Sequence, residues 1–361
     1  MSGRVIVLGA GMVGVCCALS LQARGNAVTL IDRKSAGRET SFGNSGVLSR
    51  SSVFPINGPG IWRNLPAYAM NRHPAVRWRG SLLREPRWII GFLAEATAES
   101  VARRSRALDA LIRVSMDINR ERITAMQLTR HVRETGWLKV WRSPPRGIAE
   151  TEANALDGFG IKTRVLAPEA IAEIEPDATP VFRAGLHILD SASVDDPGAL
   201  VEGFALAFAR AGGTMLQAEA RAVLATTAGW RIQGVANGQR IDRDADAVVV
   251  ALGPWSADIL APLGLRLPLG FERGYHVHLA MPEGHGPRRA IYDVDGAYVV
   301  SPMVDGARVT SGVELAGRDA TPNHAQIDRA EELARRSQRE GKSPPPLRCG
   351  RRPSRGAQPP R

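Results

Sequence analysis

The sequence predicts an α/β fold, in which a parallel doubly wound sheet is joined to a region of antiparallel strands and helices. First, the apolar segment Arg4–Leu8 runs directly into a glycine-rich turn and then a helical pattern. Second, another apolar strand over 27–31 ends in an acid. Third, short strand-like runs separated by turn residues recur from 214 to 314, which is typical of antiparallel sheet. A length of 361 residues favours two domains.

The net charge of +11 is concentrated in two segments. Residues 335–361 hold nine basic residues and one acid, and residues 62–106 hold nine arginines and three acids. The rest of the chain is therefore close to neutral, and a general nucleic-acid-binding role loses its support. With 44% hydrophobic residues, the composition is that of an ordinary globular protein rather than a disordered or collagen-like one.

Cysteine content and hydropathy favour a cytoplasmic protein. Cys16 and Cys17 are neighbours in one predicted helix, and Cys349 lies in the basic tail, so no disulfide framework is indicated. Glycines interrupt the apolar N-terminus, which argues against a signal peptide. No apolar run reaches 18 residues, and peripheral membrane contact remains an open alternative.

The turn over 9–14 has the pattern G-x-G-x-x-G between a strand and a helix of a βαβ unit. Gly9 would permit the tight turn, Gly11 would let the backbone approach a pyrophosphate, and Gly14 would let the helix pack closely on the strand. The start of the helix offers free N–H groups and a positive dipole end to phosphates. This pattern predicts a Rossmann-type dinucleotide site, with a glycine-rich turn in an unrelated α/β fold as the alternative.

Asp32 ends the second strand, eighteen residues after Gly14. Its carboxylate would accept hydrogen bonds from the adenosine ribose and would repel a 2′-phosphate, which disfavours NADP. The segment 39–49, ETSFGNSGVLS, then supplies hydroxyl, amide and glycine groups. A flavin needs such short donors beyond the pyrophosphate, whereas NAD does not; an ordinary loop is an equally good interpretation of these residues alone.

At this segment the sequence resembles the FAD-dependent amine oxidoreductases of the D-amino-acid oxidase fold, most nearly the bacterial D-amino acid or D-hydroxyproline dehydrogenases. The shared element is E-T-S-x-x-N-x-G, and the family's flavin-lining positions fall on Thr40, Ser41, Asn44 and Gly46. An A-x-G-x-W-S turn after the apolar strand at 246–252 also occurs beside the flavin in this family. The residues expected to contact FAD are Val7, Gly9, Ala10, Gly11, Met12, Val13, Gly14, Asp32, Arg33, Thr40, Ser41, Asn44, Gly46, Val223, Ala251, Gly253 and Trp255.

Residues 60–145 read as mostly helical, with Leu108, Leu111, Ile112, Ser115 and Ile118 on one side of a long helix. Their arginines are expected to form a solvated face, with an anionic membrane or a protein partner as alternatives. Further along, Asp195 and Asp196 precede Pro197, and we interpret both acids as helix capping rather than as a metal or acid pair.

A strand over 272–279 places Tyr275 and His276 on opposite sides, because side chains alternate along a strand. His276 and His278 lack a third ligand at a suitable spacing, so no metal site is predicted. In the resembling family this R-G-Y segment faces the substrate, which makes Tyr275, His276 and Tyr298 the expected substrate-binding residues. Ordinary strand aromatics are an equally good interpretation of the two tyrosines.

The resemblance implies oxidation of the C–N bond of a D-amino acid or a cyclic imino acid by hydride transfer to flavin N5, with hydrolysis of the imine. No catalytic residue is assigned, since this chemistry needs positioning more than acid–base groups. The electron acceptor, whether quinone, carrier or oxygen, is not indicated by the sequence. An NAD dehydrogenase is a more distant alternative.

The expected domains are an FAD-binding domain over 1–50 and 147–274, a substrate domain over 51–146 and 275–334, and a disordered basic tail over 335–361. The resemblance covers about 3–336, after which a Pro/Arg-rich tract replaces the family's closing segment and its carboxylate-binding arginine. A frameshift or truncated reading frame is our hypothesis for this change. The alternative function is thus a catalytically silent relative whose basic tail binds anionic partners non-specifically.

Overall fold

The computed structural model describes residues 3–337. The predictions for 338–361, including Cys349 and most of the basic tail, lie outside the described residues. The described residues divide into two compact units, the first over 3–43 and 196–269 and the second over 44–195 and 270–337. Residues 147–195 group with the second unit by compactness; the division by function into cofactor and substrate domains stays a prediction.

We number the helices and strands of the described residues along the chain. The helices are α1 (Met12–Ala23), α2 (Gly60–Ala69), α3 (Pro86–Ala94), α4 (Ala98–Ala125), α5 (Ile148–Asp157), α6 (Pro168–Ile174), α7 (Pro197–Arg210), α8 (Ser256–Leu260) and α9 (Ala325–Ser337). The strands are β1 (Arg4–Leu8), β2 (Ala27–Asp32), β3 (Val47–Leu48), β4 (Val76–Trp78), β5 (Val132–Arg133), β6 (Trp137–Trp141), β7 (Thr163–Leu166), β8 (Ala184–Ile188), β9 (Ala192–Val194), β10 (Thr214–Gln217), β11 (Glu219–Thr226), β12 (Gly229–Ala236), β13 (Gln239–Ala245), β14 (Ala247–Val250), β15 (Glu272–Arg273), β16 (His276–Leu279), β17 (Ala290–Asp293), β18 (Tyr298–Met303), β19 (Gly306–Thr310) and β20 (Val313–Leu315).

The first unit is built on a parallel sheet in the order β10-β2-β1-β14. A three-stranded antiparallel sheet, β11-β12-β13, follows in the chain. Asn237 and Gly238 join β12 to β13 with φ angles of 50° and 79°, the positive values that a type I′ hairpin turn requires. The predicted α/β class and the predicted strands of this unit are confirmed.

The side chain of Asp196 accepts a hydrogen bond from the Ala199 N–H, so its predicted capping of α7 is confirmed. Asp195 does not cap that helix. Its carboxylate lies 3.0 Å from His131 Nδ1 and 3.6 Å from the Arg133 guanidinium. The prediction was wrong for Asp195 because its partners come from the region around β5, sixty residues earlier, which local sequence does not show.

The second unit is built on a seven-stranded mixed sheet in the order β16-β19-β18-β17-β6-β8-β7. On strands β16, β19 and β18 the alternating side chains form two faces. The helix face, which packs on α9, consists of Leu279, Tyr298, Val300, Ala307 and Val309. The opposite face, which we call the polar face, carries His276, His278, Ser301, Arg308 and Thr310, together with Val299 and Met303 of β18.

The region 60–145 is mostly helical, as predicted, and it also contains the strands β4, β5 and β6. Residues Trp137–Trp141 form β6, which pairs with β8 and β17, so the two tryptophans at its ends stand on a strand. In α4 the apolar residues that share one side of the helix differ in exposure. Leu111 is 69% exposed and Ile118 is 40% exposed, whereas Met116 and Ile123 are buried. The position of the neighbouring elements selects the buried side of α4, and helical periodicity alone does not.

Helix α9 includes Arg335, Arg336 and Ser337, which are the first three residues of the expected disordered tail. Arg335 and Arg336 each pair with a glutamate one turn earlier, and the Ser337 side chain is buried. These contacts explain why the helix does not end at the composition change. Within residues 3–337, no helix combines the length and the apolarity needed to cross a bilayer.

Candidate functional site

The glycine turn after β1 has space for no side chain at two of its positions. Gly9 has a φ of +105°, and a Cβ there would lie 2.3 Å from the carbonyl oxygen of Ala251. A Cβ on Gly14 would lie 1.7 Å from the carbonyl oxygen of Gly9. Helix α1 therefore approaches β1 more closely than a residue other than glycine at these two positions would allow. This close approach is the geometry of a dinucleotide-binding turn.

The N-terminus of α1 is arranged to receive an anion. Its first turn contains no acidic residue, and Gly11 at the cap has extended backbone geometry. The Met12 N–H donates to Ser41 Oγ at 3.1 Å, which brings the segment after β2 to the start of the helix. Val13 is 68% exposed, so the surface beside these N–H groups is accessible. N–H groups and a positive dipole end at one place suit a pyrophosphate.

Asp32 is held beside the same turn at the end of β2. One carboxylate oxygen accepts the Ala10 N–H at 2.7 Å, and the other accepts the Lys34 N–H at 2.9 Å. A carboxylate has about four acceptor positions, so acceptor capacity remains for ribose hydroxyls. The first unit thus fits the adenosine and pyrophosphate part of a dinucleotide.

The other predicted cofactor residues of the first unit surround this turn or belong to its core. The Arg33 guanidinium lies 4.2 Å from the Trp255 ring centre and forms an ion pair with Glu39 at 2.8 Å. Val7 and Val223 are buried, and Gly253 has a φ of +55° in the turn after β14. Thr40 lies in the turn after β2. Their contact with FAD stays a prediction.

Asn44 and Gly46 belong to the second unit, where they form a tightly fixed loop. Asn44 Oδ1 accepts the Gly46 N–H at 2.7 Å, and Gly46 has a φ of +68°. A Cβ on Gly46 would lie 2.3 Å from the carbonyl oxygen of Val194. Arg308 Nη1 donates to the Asn44 carbonyl oxygen at 2.8 Å, so the polar face anchors this loop.

The predicted substrate residues lie on two different faces of the sheet. Tyr275 and Tyr298 are buried on the helix face, where the Tyr275 hydroxyl donates to Glu314 at 2.5 Å and the Tyr298 hydroxyl contacts Ser337 at 2.9 Å. His276 lies on the polar face, in register with Thr310. Substrate contact by these three stays a prediction, and only His276 lies beside the other polar-face side chains.

Two polar-face residues were not identified from the sequence. Arg308 is 3% exposed, and its Nε donates to His278 Nε2 at 3.1 Å. Ser301 is completely buried, and its hydroxyl has no hydrogen-bond partner among the described residues. The register of strands β16, β18 and β19 places Arg308 and Ser301 on the same face of the sheet. A local sequence pattern does not predict that register. Within residues 3–337, no cluster of three or more His, Cys, Asp or Glu side chains could hold a metal ion.

His276 is expected to remain uncharged well below neutral pH. Burial, then the positive charge of Arg308, then His278 lower the pKa of His276 to about 4. Because the unfolded chain takes up a proton near pH 6.5 and the folded chain does so only near pH 4, His276 lowers the free energy of unfolding as pH falls through this interval.

The measurement is an NMR titration of the His276 imidazole. We expect a midpoint near pH 4 in the wild type. In Arg308→Met the midpoint should rise without reaching the ordinary value, because burial remains. A wild-type midpoint at about 6 or above would contradict the environment described for His276.

Comparison with known proteins agrees with this geometry. The sequence model of the family described as FAD dependent oxidoreductase (DAO) matches residues 4–359, which extends beyond position 336, where the resemblance was expected to end. A D-amino-acid oxidase from Bradyrhizobium diazoefficiens is 32% identical over 330 residues, 88% of this chain and 76% of that protein. A D-amino acid dehydrogenase from Methylobacterium nodulans is 32% identical over 338 residues, 91% of this chain and 80% of that protein.

Among solved structures, glycine oxidase from Geobacillus kaustophilus superposes with a TM-score of 0.67. It is 16% identical, and the superposition covers 93% of this chain and 79% of that one, so it supports the fold. The glycine turn, the acid at the end of β2 and the match over almost the whole length lead to one assignment: the chain belongs to the FAD dependent oxidoreductase family.

Proposed function

We propose that this protein uses FAD to oxidise the C–N bond of a D-amino acid or a cyclic imino acid, in D-amino acid catabolism. The observation that carries the proposal is the dinucleotide turn of the first unit, with Asp32 beside Gly9–Gly14. It occurs in a chain whose 32% identical relatives are named D-amino-acid oxidase and D-amino acid dehydrogenase. When bound, FAD supplies the acceptor for a hydride from the substrate carbon.

The residues of the chain would bind FAD, orient the substrate and enclose the two molecules. The N-terminus of α1 and Asp32 would hold the pyrophosphate and ribose, and the Asn44–Gly46 loop would present backbone N–H and carbonyl groups to the ring. The polar face of the second unit would orient the amino acid. Asn44 Oδ1 already holds the Gly46 N–H, so the loop would need little reordering on binding.

The test begins with the purified protein and added FAD. We expect an absorbance band near 450 nm that D-amino or imino acids bleach without oxygen, while the L enantiomers of the same amino acids bleach it much more slowly. Peroxide formation in air, compared with reduction of a quinone analogue, then identifies the electron acceptor. A protein that stays colourless with excess FAD would instead support the catalytically silent relative, and a bound nicotinamide cofactor would support an NAD enzyme.

The surface of the segment 60–94 favours peripheral contact with an anionic membrane. Helices α2 and α3, strand β4 and the 3₁₀ turn Gly80–Arg84 contain no buried residue. Trp62, Leu83 and Ile90 are each at least half exposed. The segment carries more arginines than acids, and exposed apolar groups among arginines match an acidic bilayer surface. We place the protein in the cytoplasm, where the thiols of Cys16 and Cys17 would stay reduced.

Vesicle sedimentation tests this contact. The wild type should bind vesicles that contain about 30% phosphatidylglycerol and should dissociate from them at high salt. It should not bind vesicles of pure phosphatidylcholine. The double variant Leu83→Asp, Ile90→Asp should bind at least about tenfold more weakly, because its two charges oppose insertion. Leu265→Asp, at an exposed leucine of the first unit, is the matched control and should bind normally. If the double variant binds vesicles as well as the wild type does, this surface is not the membrane contact.

A further inference from the structure

Helix α4 has two sides of opposite exposure. The inner side is buried and includes Ser105, Met116 and Ile123. On the opposite side, each residue follows another at an interval of three or four, so these residues form one stripe along the helix. This outer stripe consists of exposed residues: Arg103, Ala107, Ala110, Leu111, Val114, Asp117, Ile118, Glu121 and Ala125.

The centre of the outer stripe is apolar. Leu111, Val114 and Ile118 are each at least 40% exposed. With Ala107 they follow one another at intervals of four, three and four, which is the spacing of the contact positions in a coiled coil. Single exposed apolar residues are ordinary on a protein surface, but a continuous row on one side of a helix is typical of a helix that packs on another helix.

Charge is divided between the two halves of this stripe. Arg103 and Arg106 lie in the N-terminal half of α4, and all of their acidic counterparts on this side lie in the C-terminal half, at Asp117 and Glu121. At about 100° of rotation per residue, the four side chains lie along the same edge of the stripe. Within the described part of the chain, the ion pairs of α4 involve side chains other than Arg106, Asp117 and Glu121.

A second copy of α4 that runs antiparallel to the first is complementary to the stripe. Two-fold symmetry brings the basic half of each helix against the acidic half of the other. Leu111 then lies opposite Val114 of the other copy, and Ala107 lies opposite Ile118, so a small side chain meets a large one at each end. A parallel pair would instead bring like charges together, which disfavours that arrangement.

An anionic bilayer is a poorer occupant of the stripe than a second copy. Asp117 and Glu121 stand beside its apolar residues, and an acidic bilayer surface repels carboxylates. The stripe extends over about 33 Å of helix and is one helix wide, about 10 Å. This area is smaller than the roughly 800 Å² per partner of a standard interface, so we expect a dimer that dissociates reversibly at micromolar concentration.

We propose that this protein forms a two-fold dimer in which α4 packs antiparallel on α4 of a second copy. The outer stripe is the interface. Leu111, Val114 and Ile118 form its apolar centre, and Arg106 pairs with Asp117 of the other copy on each side of the two-fold axis. This inference does not depend on the proposed function, because none of these residues is assigned to the cofactor or the substrate.

Sedimentation velocity of the full-length chain from about 1 to 200 µM tests the dimer. The wild type should pass from monomer to dimer with a dissociation constant on the order of 10 µM. Leu111→Asp should weaken the dimer at least about tenfold, because it places two carboxylates at the centre of the interface. Leu224→Asp, at an exposed leucine of the first unit, is the matched control and should behave as the wild type does.

A charge exchange tests the antiparallel arrangement. Asp117→Arg places an arginine beside Arg106 of the other copy, and Arg106→Glu places a glutamate beside Asp117 of the other copy. Each variant alone should dimerise at least about fivefold more weakly than the wild type. An equimolar mixture of the two variants should recover the wild-type affinity to within about threefold, because every like-charge contact becomes an opposite-charge contact. Mixing would not repair a defect of folding, and thermal unfolding of each variant reports whether it is folded.

Four results would overturn the proposal. A wild type that stays monomeric at 200 µM excludes the dimer. A folded Leu111→Asp protein that dimerises as the wild type does places the interface elsewhere. A mixture that associates as weakly as the separate charge variants excludes the antiparallel pairing. A monomeric wild type whose binding to phosphatidylglycerol vesicles is lost in Leu111→Asp would assign the stripe to a membrane surface instead.

Discussion

Gly14→Ala should yield a protein that does not retain FAD. The new Cβ would lie 1.7 Å from the Gly9 carbonyl oxygen and 2.9 Å from its carbon, so α1 must move away from β1. That movement displaces the N–H groups that would hold the pyrophosphate. We expect the FAD dissociation constant to rise at least about 100-fold, and the overpacking to cost about 1–3 kcal/mol of stability.

The ratio of absorbance at 450 nm to that at 280 nm, followed by titration of the apoprotein with FAD, measures this effect. Gly91→Ala is the control, because Gly91 is also inside a helix but has open space around the position of a Cβ. It should bind FAD normally and be slightly more stable, since alanine suits a helix better than glycine. Normal FAD affinity in Gly14→Ala would show that the cofactor does not depend on this turn.

Glu314→Ala should destabilise the protein far more than the loss of an exposed ion pair does. Glu314 on β20 is 1% exposed, and it accepts hydrogen bonds from Arg79 Nε at 2.6 Å and from the Tyr275 hydroxyl at 2.5 Å. Arg273 lies 3.7 Å away. Removing the carboxylate leaves Arg79 Nε and the buried Tyr275 hydroxyl without their acceptor and removes the negative charge beside Arg273, which costs about 3–5 kcal/mol.

Urea unfolding measures this loss against two comparison variants. Glu314→Gln keeps an acceptor for the tyrosine but loses the charge, so it should fall between wild type and Glu314→Ala. Glu134→Ala removes an ion pair with Arg120 whose two side chains are 51% and 38% exposed, and it should cost less than about 1 kcal/mol. A loss below about 1 kcal/mol in Glu314→Ala would mean that the surrounding groups find other partners or water.

The first unit could be predicted from the sequence because its signals are local. The strand, turn, helix and second strand over residues 4–32 are set by apolar runs and by glycines that sterics require, all within one βαβ unit. The Asn237–Gly238 hairpin and the Asp196 cap are equally local, since each depends on a few consecutive residues. Asp195 shows the limit, because its partners His131 and Arg133 are remote in sequence.

The second unit shows what local patterns leave undecided. Alternation along 275–279 correctly separates Tyr275 from His276, but it cannot say which side faces a core. That choice is made by α9, which begins fifty residues later and buries Tyr275 and Tyr298 on the helix face. A family resemblance that places the whole segment near substrate likewise does not distinguish the two faces.

The sequence by itself determined the α/β class and the dinucleotide turn, because steric requirements for glycine and apolar periodicity act over a few residues. The family followed from the resemblance of the sequence to known ones. Only the tertiary structure decided that Ser301, Arg308 and His278 form one row and that Arg308 holds the Asn44 loop. Those contacts depend on strand register between segments separated by up to 264 residues, and register is set by packing of the whole sheet.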